Sequence, residues 1–257
     1  MFNRIQALIT ELTPQPDGER PNSDTGVYKE SITKFLSKNY DLIWIATPNS
    51  THYDTIKKIS SSTNYIVCEK PLFINQYQLD DYKNSNFDNK IFTNFIYRYD
   101  QRIIEFKRNL KKINLYNKLE IIMKQNGKKH DNIINILVSH CLSIFFFLFG
   151  TLSFHVIKIK SYHKDYVDIL FETKTLKLRI ACDNNSDDEK FRQIKLSNDN
   201  DLVQMVDFSK NIEGSTTPID NLMTDLINKI SSSTDNLNTS IFINSLLIRL
   251  NFLASKI

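Results

Sequence analysis

Two apolar runs in the first half of the chain end in compact polar clusters. "DLIWIAT" (41–47) closes on Thr47, Pro48 and Asn49, with His52 just beyond, and "NYIVCE" (64–69) closes on Glu69, Lys70 and Pro71. A carboxylate next to an ammonium group offers an acceptor and a donor to a polar ligand, and imidazole exchanges protons near neutral pH. His140, alone in the apolar stretch "IINILVSHCLSIFFFLFG" (133–150), reads by type either as a general acid/base or as a hydrogen-bonded core histidine. Lys70 reads as a site residue or as an exposed charge before a proline, and His52 as a cleft residue or a first-turn helix residue. His130, His155 and His163 have no partner spacing that points to chemistry.

The elements that position these residues follow from the apolar patterns. "RIQALIT" (4–10) is a short apolar run, followed by a loop rich in Pro, Gly and polar residues. "KESITKFLSKN" (29–39) has helical spacing, with Ile32, Phe35 and Leu36 on one face. "DLIWIAT" and "NYIVCE" lack polar alternation, as strands covered on both faces do, and between them Ser50 or Thr51 caps a helix that turns Tyr53, Ile56 and Ile59 inward. A helix over 74–89 and a third strand, "KIFTNFIYR" (90–98), complete βαβαβ. Right-handed crossovers make the three strands parallel, which brings both polar clusters to the carboxyl edge of the sheet, where ligands bind in open α/β sheets.

The second half alternates: "NKLEIIMKQ", "FHVIKIKSY", "YVDILFET", "LKLRIACD", "FRQIKLS" and "LVQMVDF" are short strands of a mainly antiparallel sheet with one covered face, and two helices close the chain. The fold class is α/β: a Rossmann-like parallel-sheet domain over 1–112, then an α+β domain over 113–257 with an open, mainly antiparallel sheet.

The 33 basic and 29 acidic residues are mixed along the chain and leave a formal charge of +4. The densest basic run, "KRNLKK" (107–112), has no aromatic interleaving and reads as a solvated helix face, so no nucleic-acid partner is expected. The stretch 133–150 is too short and too polar for a membrane span, and the first residues lack a signal-peptide pattern; a cytoplasmic protein is expected. Cys68, Cys141 and Cys182 are odd in number and widely spaced, and read as small buried hydrophobes rather than as disulfide or metal ligands.

"IATPNSTH" (45–52) followed by "VCEKPL" (67–72) resembles the Gfo/Idh/MocA family of NAD(P)-dependent oxidoreductases, which act mainly on sugars, inositols and nucleotide sugars. "TNFIYRYDQRIIEFK" (93–107) is similar to the family's strand and helix after its EKP motif, and "NIINILVSHCLSIFFFLFG" (132–150) to its substrate-domain helix. The resemblance implies NAD or NADP as cofactor, with Thr47, Pro48, Asn49, His52, Glu69, Lys70 and Pro71 lining the dinucleotide cleft. It makes Glu69 the acceptor for the nicotinamide ribose, Lys70 the group that orients the reacting hydroxyl, and His140 the acid/base. Asn94 and Arg98 become substrate or cofactor contacts, a carbohydrate-like molecule the substrate, and no metal is implied. Family members pair through the open sheet, so a homo-oligomer is expected.

Two departures stand out. The glycines are Gly18, Gly26, Gly127, Gly150 and Gly214, and none form the G-x-G-x-x-G turn that cradles a pyrophosphate. The sequence reads as starting at the family's second strand, with "RIQALIT" leading to Glu11, placed to meet an adenosine ribose. Loss of the glycine turn removes backbone donors whose absence weakens dinucleotide binding by about 10² to 10⁴-fold. It also removes a central strand, so "RIQALIT" or a partner chain is expected beside "DLIWIAT". Second, the aspartate that family enzymes carry four residues before the histidine is Ile136 here, and Asn135 lies to one side of that position. An oxidoreductase, a non-catalytic relative that keeps the fold for binding or assembly, and a shortened reading frame whose start lies upstream all remain open at this point.

Overall fold

The computed structural model describes residues 5–8, 40–85, 90–113, 115–126, 132–150, 152–185, 190–199, 201–210, 216–229 and 234–257. The helix expected at 29–39 and Glu11 lie outside them. Contacts group Met1–Asn94 with Ser232–Asn244 in one unit and Phe95–Ser231 with Ser245–Ile257 in another. The division at 112/113 expected from the sequence follows chain order alone.

In the first unit β1 (Ile5–Leu8), β2 (Tyr40–Ile45), β3 (Thr63–Cys68) and β4 (Lys90–Thr93) form one parallel sheet in the order β1-β2-β3-β4. The short N-terminal run does lie beside β2, in register from Ile5 opposite Leu42 to Leu8 opposite Ile45. Leu42, Ile43 and Ile45 in β2, and Ile66, Val67 and Cys68 in β3, are fully or almost fully buried, as their unbroken apolar runs require. Helix α1 (His52–Ile59) buries His52, Tyr53, Thr55, Ile56 and Ile59 and leaves Asp54, Lys57 and Lys58 in water. Thr51 occupies its N-cap position without a capping bond: its hydroxyl lies 2.8 Å from Thr47 Oγ1 and from the Pro48 carbonyl, so the expected cap serves the preceding loop instead. Helix α2 (Gln76–Asn84) is capped by Asn75, whose side chain accepts from Gln78 N at 2.9 Å.

The third strand is shorter than expected. It stops at Thr93, and Ile96–Tyr99 form a 3-10 turn. Asp100 caps α3 (Gln101–Leu110), accepting from Arg102 N at 3.0 Å, and a helix that begins there obliges the chain to leave the sheet several residues earlier.

The second unit holds β5 (Lys118–Lys124), β6 (Val156–His163), β7 (Tyr166–Glu172), β8 (Lys177–Asp183), β9 (Phe191–Ser197) and β10 (Leu202–Asp207), in the order β10-β9-β5-β8-β7-β6. All neighbours are antiparallel except β5 and β8. Alternation puts Leu119, Ile121 and Met123, then Leu178, Ile180 and Cys182, on the buried face, where α4 (Ser139–Phe149) and a π-helical turn at Ile134–Val138 pack. Gly150 ends α4 with φ of 74°, a left-handed conformation open to glycine at little cost. On the opposite face Arg179 donates to Asp168 at 2.8 Å and to Glu120 at 2.9 Å, crossing three strands. Cys68, Cys141 and Cys182 are buried free thiols.

Helices α5 (Pro218–Lys229) and α6 (Thr234–Ala254) close the chain. Among the described residues, Leu237–Ala254 is the helix long and apolar enough by length and composition to cross a membrane, rather than the stretch at 133–150 that the sequence drew attention to. Its polar residues explain its place in the fold instead. Ser240 accepts from Thr93 Oγ1 at 2.6 Å, and Asn244 accepts from Phe73 N at 3.0 Å while donating to Ser240 O at 2.7 Å. Ile243, Leu247 and Leu250 are also buried, so one face of α6 packs into the fold.

Candidate functional site

In the first unit the ends of β2 and β3 are tied together by one side chain. His52, at the start of α1, is fully buried, with Nε2 2.7 Å from the Thr47 carbonyl oxygen and Nδ1 2.7 Å from that of Pro71. Carbonyl oxygens only accept, so a neutral ring donates to one of them and a doubly protonated ring to both. The Lys70–Pro71 peptide is cis, and Glu69 N donates to Ile45 O at 2.9 Å, which extends the β2–β3 pairing into the loop. Asn94, just past β4, donates through its backbone to Cys68 O at 2.8 Å and through Nδ2 to Glu69 Oε1 at 2.5 Å.

Thr47, Pro48, Asn49, His52, Glu69, Lys70, Pro71 and Asn94 therefore share one sheet edge, as their positions at strand ends predict. Glu69, Lys70 and Asn49 are half-buried and Pro48 is exposed, so this edge is open to a ligand. One Glu69 oxygen is held by Asn94, which leaves the other to accept from hydroxyls. Asn94 Oδ1 is buried with no hydrogen bond among the described residues. Burial, reinforced by Glu69, pushes the Cys68 thiol well up, so the cysteine beneath the edge is inert. This donor and acceptor set fits the ribose and nicotinamide end of a dinucleotide.

In the second unit the 3-10 turn at Ile96–Tyr99 meets the start of α4. The Tyr97 ring stands edge-on to His140, with centroids 4.6 Å apart, and edge-on to Phe208 at 5.7 Å. The Arg192 guanidinium carbon lies 4.9 Å from the Tyr97 centroid. Arg98 points elsewhere: its Nε donates to Ser143 O at 3.1 Å and its guanidinium lies over Phe95. Its Nη2 is buried without a partner among the described residues, and burial pushes the group down to about 10.

The π-helical turn directly before α4 changes the register around His140. With i→i+5 spacing, Asn135 as well as Ile136 lies about one turn back from the histidine. Asn135 is already engaged, since its Oδ1 accepts from Asn251 Nδ2 at 2.9 Å. Tyr97 and Arg192 were not singled out by the sequence reading. A signal was there for Arg192: in "FRQIKLS" it occupies the same face as Ile194 and Leu196, a charge where the alternation calls for an apolar residue. Among the described residues no group of three or more His, Cys, Asp or Glu side chains is arranged to hold a metal ion.

Fold and edge define a Rossmann-like unit followed by an α+β unit, the architecture that the resemblance to the Gfo/Idh/MocA oxidoreductases implies. Residues 16–85 match the model of that oxidoreductase family, described by its NAD-binding Rossmann fold, which upholds on this segment the resemblance carried by the motifs. Solved structures agree in fold. The myo-inositol dehydrogenase of Corynebacterium glutamicum is 14% identical with a TM-score of 0.70, over 87% of this chain and 80% of its own. The MviM dehydrogenase of Clostridium difficile is 14% identical with a TM-score of 0.70, over 86% and 82%. The WlbA (WbpB) dehydrogenase of Thermus thermophilus, solved in complex with NAD and UDP-GlcNAcA, is 15% identical with a TM-score of 0.65, over 82% and 72%. No curated protein matches the chain by sequence.

Proposed function

We propose that this chain is an oxidoreductase that moves a hydride between NAD or NADP and the hydroxyl or carbonyl carbon of a carbohydrate-like molecule: a sugar, an inositol or a nucleotide sugar. The observation that carries the reading is the built edge after β3, where Glu69, Lys70 and cis Pro71 are held by Asn94 on one side and by His52 on the other. The family match and the fold shared with inositol and nucleotide-sugar dehydrogenases support the same class.

The nicotinamide, when bound, supplies hydride chemistry at its ring. Glu69 accepts from ribose hydroxyls through the oxygen that Asn94 leaves open. Lys70 donates to the substrate hydroxyl and stabilises negative charge as it develops on that oxygen. In the role the family resemblance gives it, the His140 imidazole takes up a substrate proton in one direction and returns it in the other. Asn94 keeps the Glu69 carboxylate oriented, and His52 fixes the backbone on which Lys70 stands.

Two specific features favour a second reading, a non-catalytic relative that keeps the fold for binding or assembly: the sequence has no G-x-G-x-x-G turn, and Ile136 replaces the family's aspartate. Turnover of NAD⁺ and NADP⁺ with inositols, sugars and nucleotide sugars decides between them. The redox reading expects turnover that Lys70→Ala lowers by about 10² to 10⁴-fold while leaving the fold intact. Cofactor binding with no turnover on any of these substrates, or turnover unchanged in Lys70→Ala, contradicts it. The same reading places the protein in the cytoplasm as a homo-oligomer joined through the open face of the six-stranded sheet, and a monomer by light scattering contradicts that assembly.

A further inference from the structure

Arg192 differs from Arg98, Arg102 and Arg179 of the second unit, each of which donates to an acceptor. Arg102 gives Nε and Nη2 to Asp100, at 2.9 and 2.6 Å, and Nη1 to Lys210 O at 2.6 Å. Arg179 holds both Asp168 and Glu120, and Arg98 donates to Ser143 O. Arg192 is only 6% exposed, yet its guanidinium makes no hydrogen bond or ion pair with any described residue. Its stem sits on the covered face of β9 with Ile194 and Leu196, and its guanidinium carbon lies 4.9 Å from the centre of the Tyr97 ring, which also touches His140. The guanidinium is largely withdrawn from water and has no anion beside it among the described residues, an arrangement that an incoming anion completes.

The surroundings favour a ligand rather than an internal partner. Asp100, the carboxylate that interacts with Arg192 through space, is already gripped by both arms of Arg102. Arg102 and Lys190 add positive charge nearby. Burial is the main influence holding the Arg192 guanidinium below its usual value, with the Arg102 charge acting the same way. An incoming anion relieves both effects. The planar fork of an arginine matches a carboxylate or phosphate in two parallel hydrogen bonds, a geometry that a lysine does not offer.

We propose that Arg192, stacked on Tyr97 beside His140, binds an oxyanion carried by the substrate, so that the preferred substrates are acidic carbohydrates, bearing a carboxylate or a phosphate, rather than neutral ones. This rests on the reading of His140 as a substrate-side residue, but its test needs neither cofactor nor turnover. D-glucuronate, glucose 6-phosphate and glucose are titrated calorimetrically into the full chain at low ionic strength, and the first two separate a carboxylate from a phosphate preference. At least one charged sugar binds about tenfold or more tighter than glucose, Arg192→Gln removes that advantage, and Arg192→Lys keeps only part of it. Because Arg192→Gln can weaken the fold, a second measurement uses the wild-type chain: phenylglyoxal modification of Arg192, mapped by mass spectrometry, is suppressed by the charged sugar and not by glucose. Equal binding of charged and neutral sugars, an advantage that survives intact in a folded Arg192→Gln variant, or equal protection by all three sugars overturns the proposal. Failure of the redox reading shows separately, as absent NAD(P) binding with the sugar preference intact.

Discussion

The Nδ1 of His52 lies 2.7 Å from the carbonyl oxygen of Pro71, nineteen residues further along the chain, and thereby joins the loop after β2 to the loop after β3. The same ring reaches the Thr47 carbonyl at 2.7 Å, so one buried imidazole sets the spacing of two loops that the proposed chemistry uses. Removing it takes the donor from at least one carbonyl group of a buried residue, at about 1 to 3 kcal/mol each, and leaves a cavity where the ring packed, at about 1 to 3 kcal/mol more. His52→Ala therefore lowers unfolding free energy by about 2 to 5 kcal/mol in a urea titration, and His52→Gln by less. A loss in His52→Ala of under about 1 kcal/mol contradicts the bridging role.

Asn244 does comparable work at the other side of the first unit. Its Oδ1 accepts from Phe73 N, and its Nδ2 donates to Ser240 O, in a setting where it is 1% exposed. Asn244→Ala strands the Phe73 amide two residues after the cis proline and leaves a small cavity, at about 2 to 4 kcal/mol together. Urea unfolding checks this; a midpoint equal to that of the parent chain shows that water replaces the amide without cost.

Asp81 predicts a pH dependence. It accepts from Lys57 Nζ at 2.8 Å and from Tyr53 Oη at 2.7 Å, and these hydrogen bonds, that of Lys57 foremost, hold its carboxyl below the usual range. A depressed folded value means that its stabilising contribution is present above the unfolded carboxylate value, about 4, and is lost as pH falls through the folded value. The urea midpoints of the parent chain and Asp81→Asn therefore differ at neutral pH and converge as the solution is acidified below about pH 4. A difference that persists unchanged in acid contradicts the assignment.

Much of the fold was legible because its strands follow simple patterns. Leu42 to Ile45 and Ile66 to Cys68 are unbroken apolar runs and form the central parallel strands, while Leu119, Ile121 and Met123 alternate and form a half-covered one. The polar clusters at Thr47–Asn49 and Glu69–Pro71 were legible for the same reason, since residues at the ends of parallel strands must share an edge. What stayed hidden depends on partners distant in sequence or on local backbone detail. The end of β4 at Thr93 is decided by the Asp100 cap beyond it, and the π-helical turn before His140 leaves the apolar pattern of 133–150 unchanged. His52 read as a cleft residue or as a first-turn residue, and nothing in its neighbourhood announces that its ring will reach Pro71. Ser240 and Asn244 are polar breaks in an apolar helix until Thr93 and Phe73 are seen to face them.

The central claim is that the edge built from Thr47, Glu69 and Lys70 receives a nicotinamide dinucleotide even though the sequence has no glycine-rich turn. Isothermal titration of the full chain with NADH and with NADPH tests it most directly. Saturable heat with a dissociation constant between micromolar and about 1 mM for at least one cofactor is the predicted result. No heat from either cofactor up to millimolar concentration contradicts the claim and leaves only the shared fold.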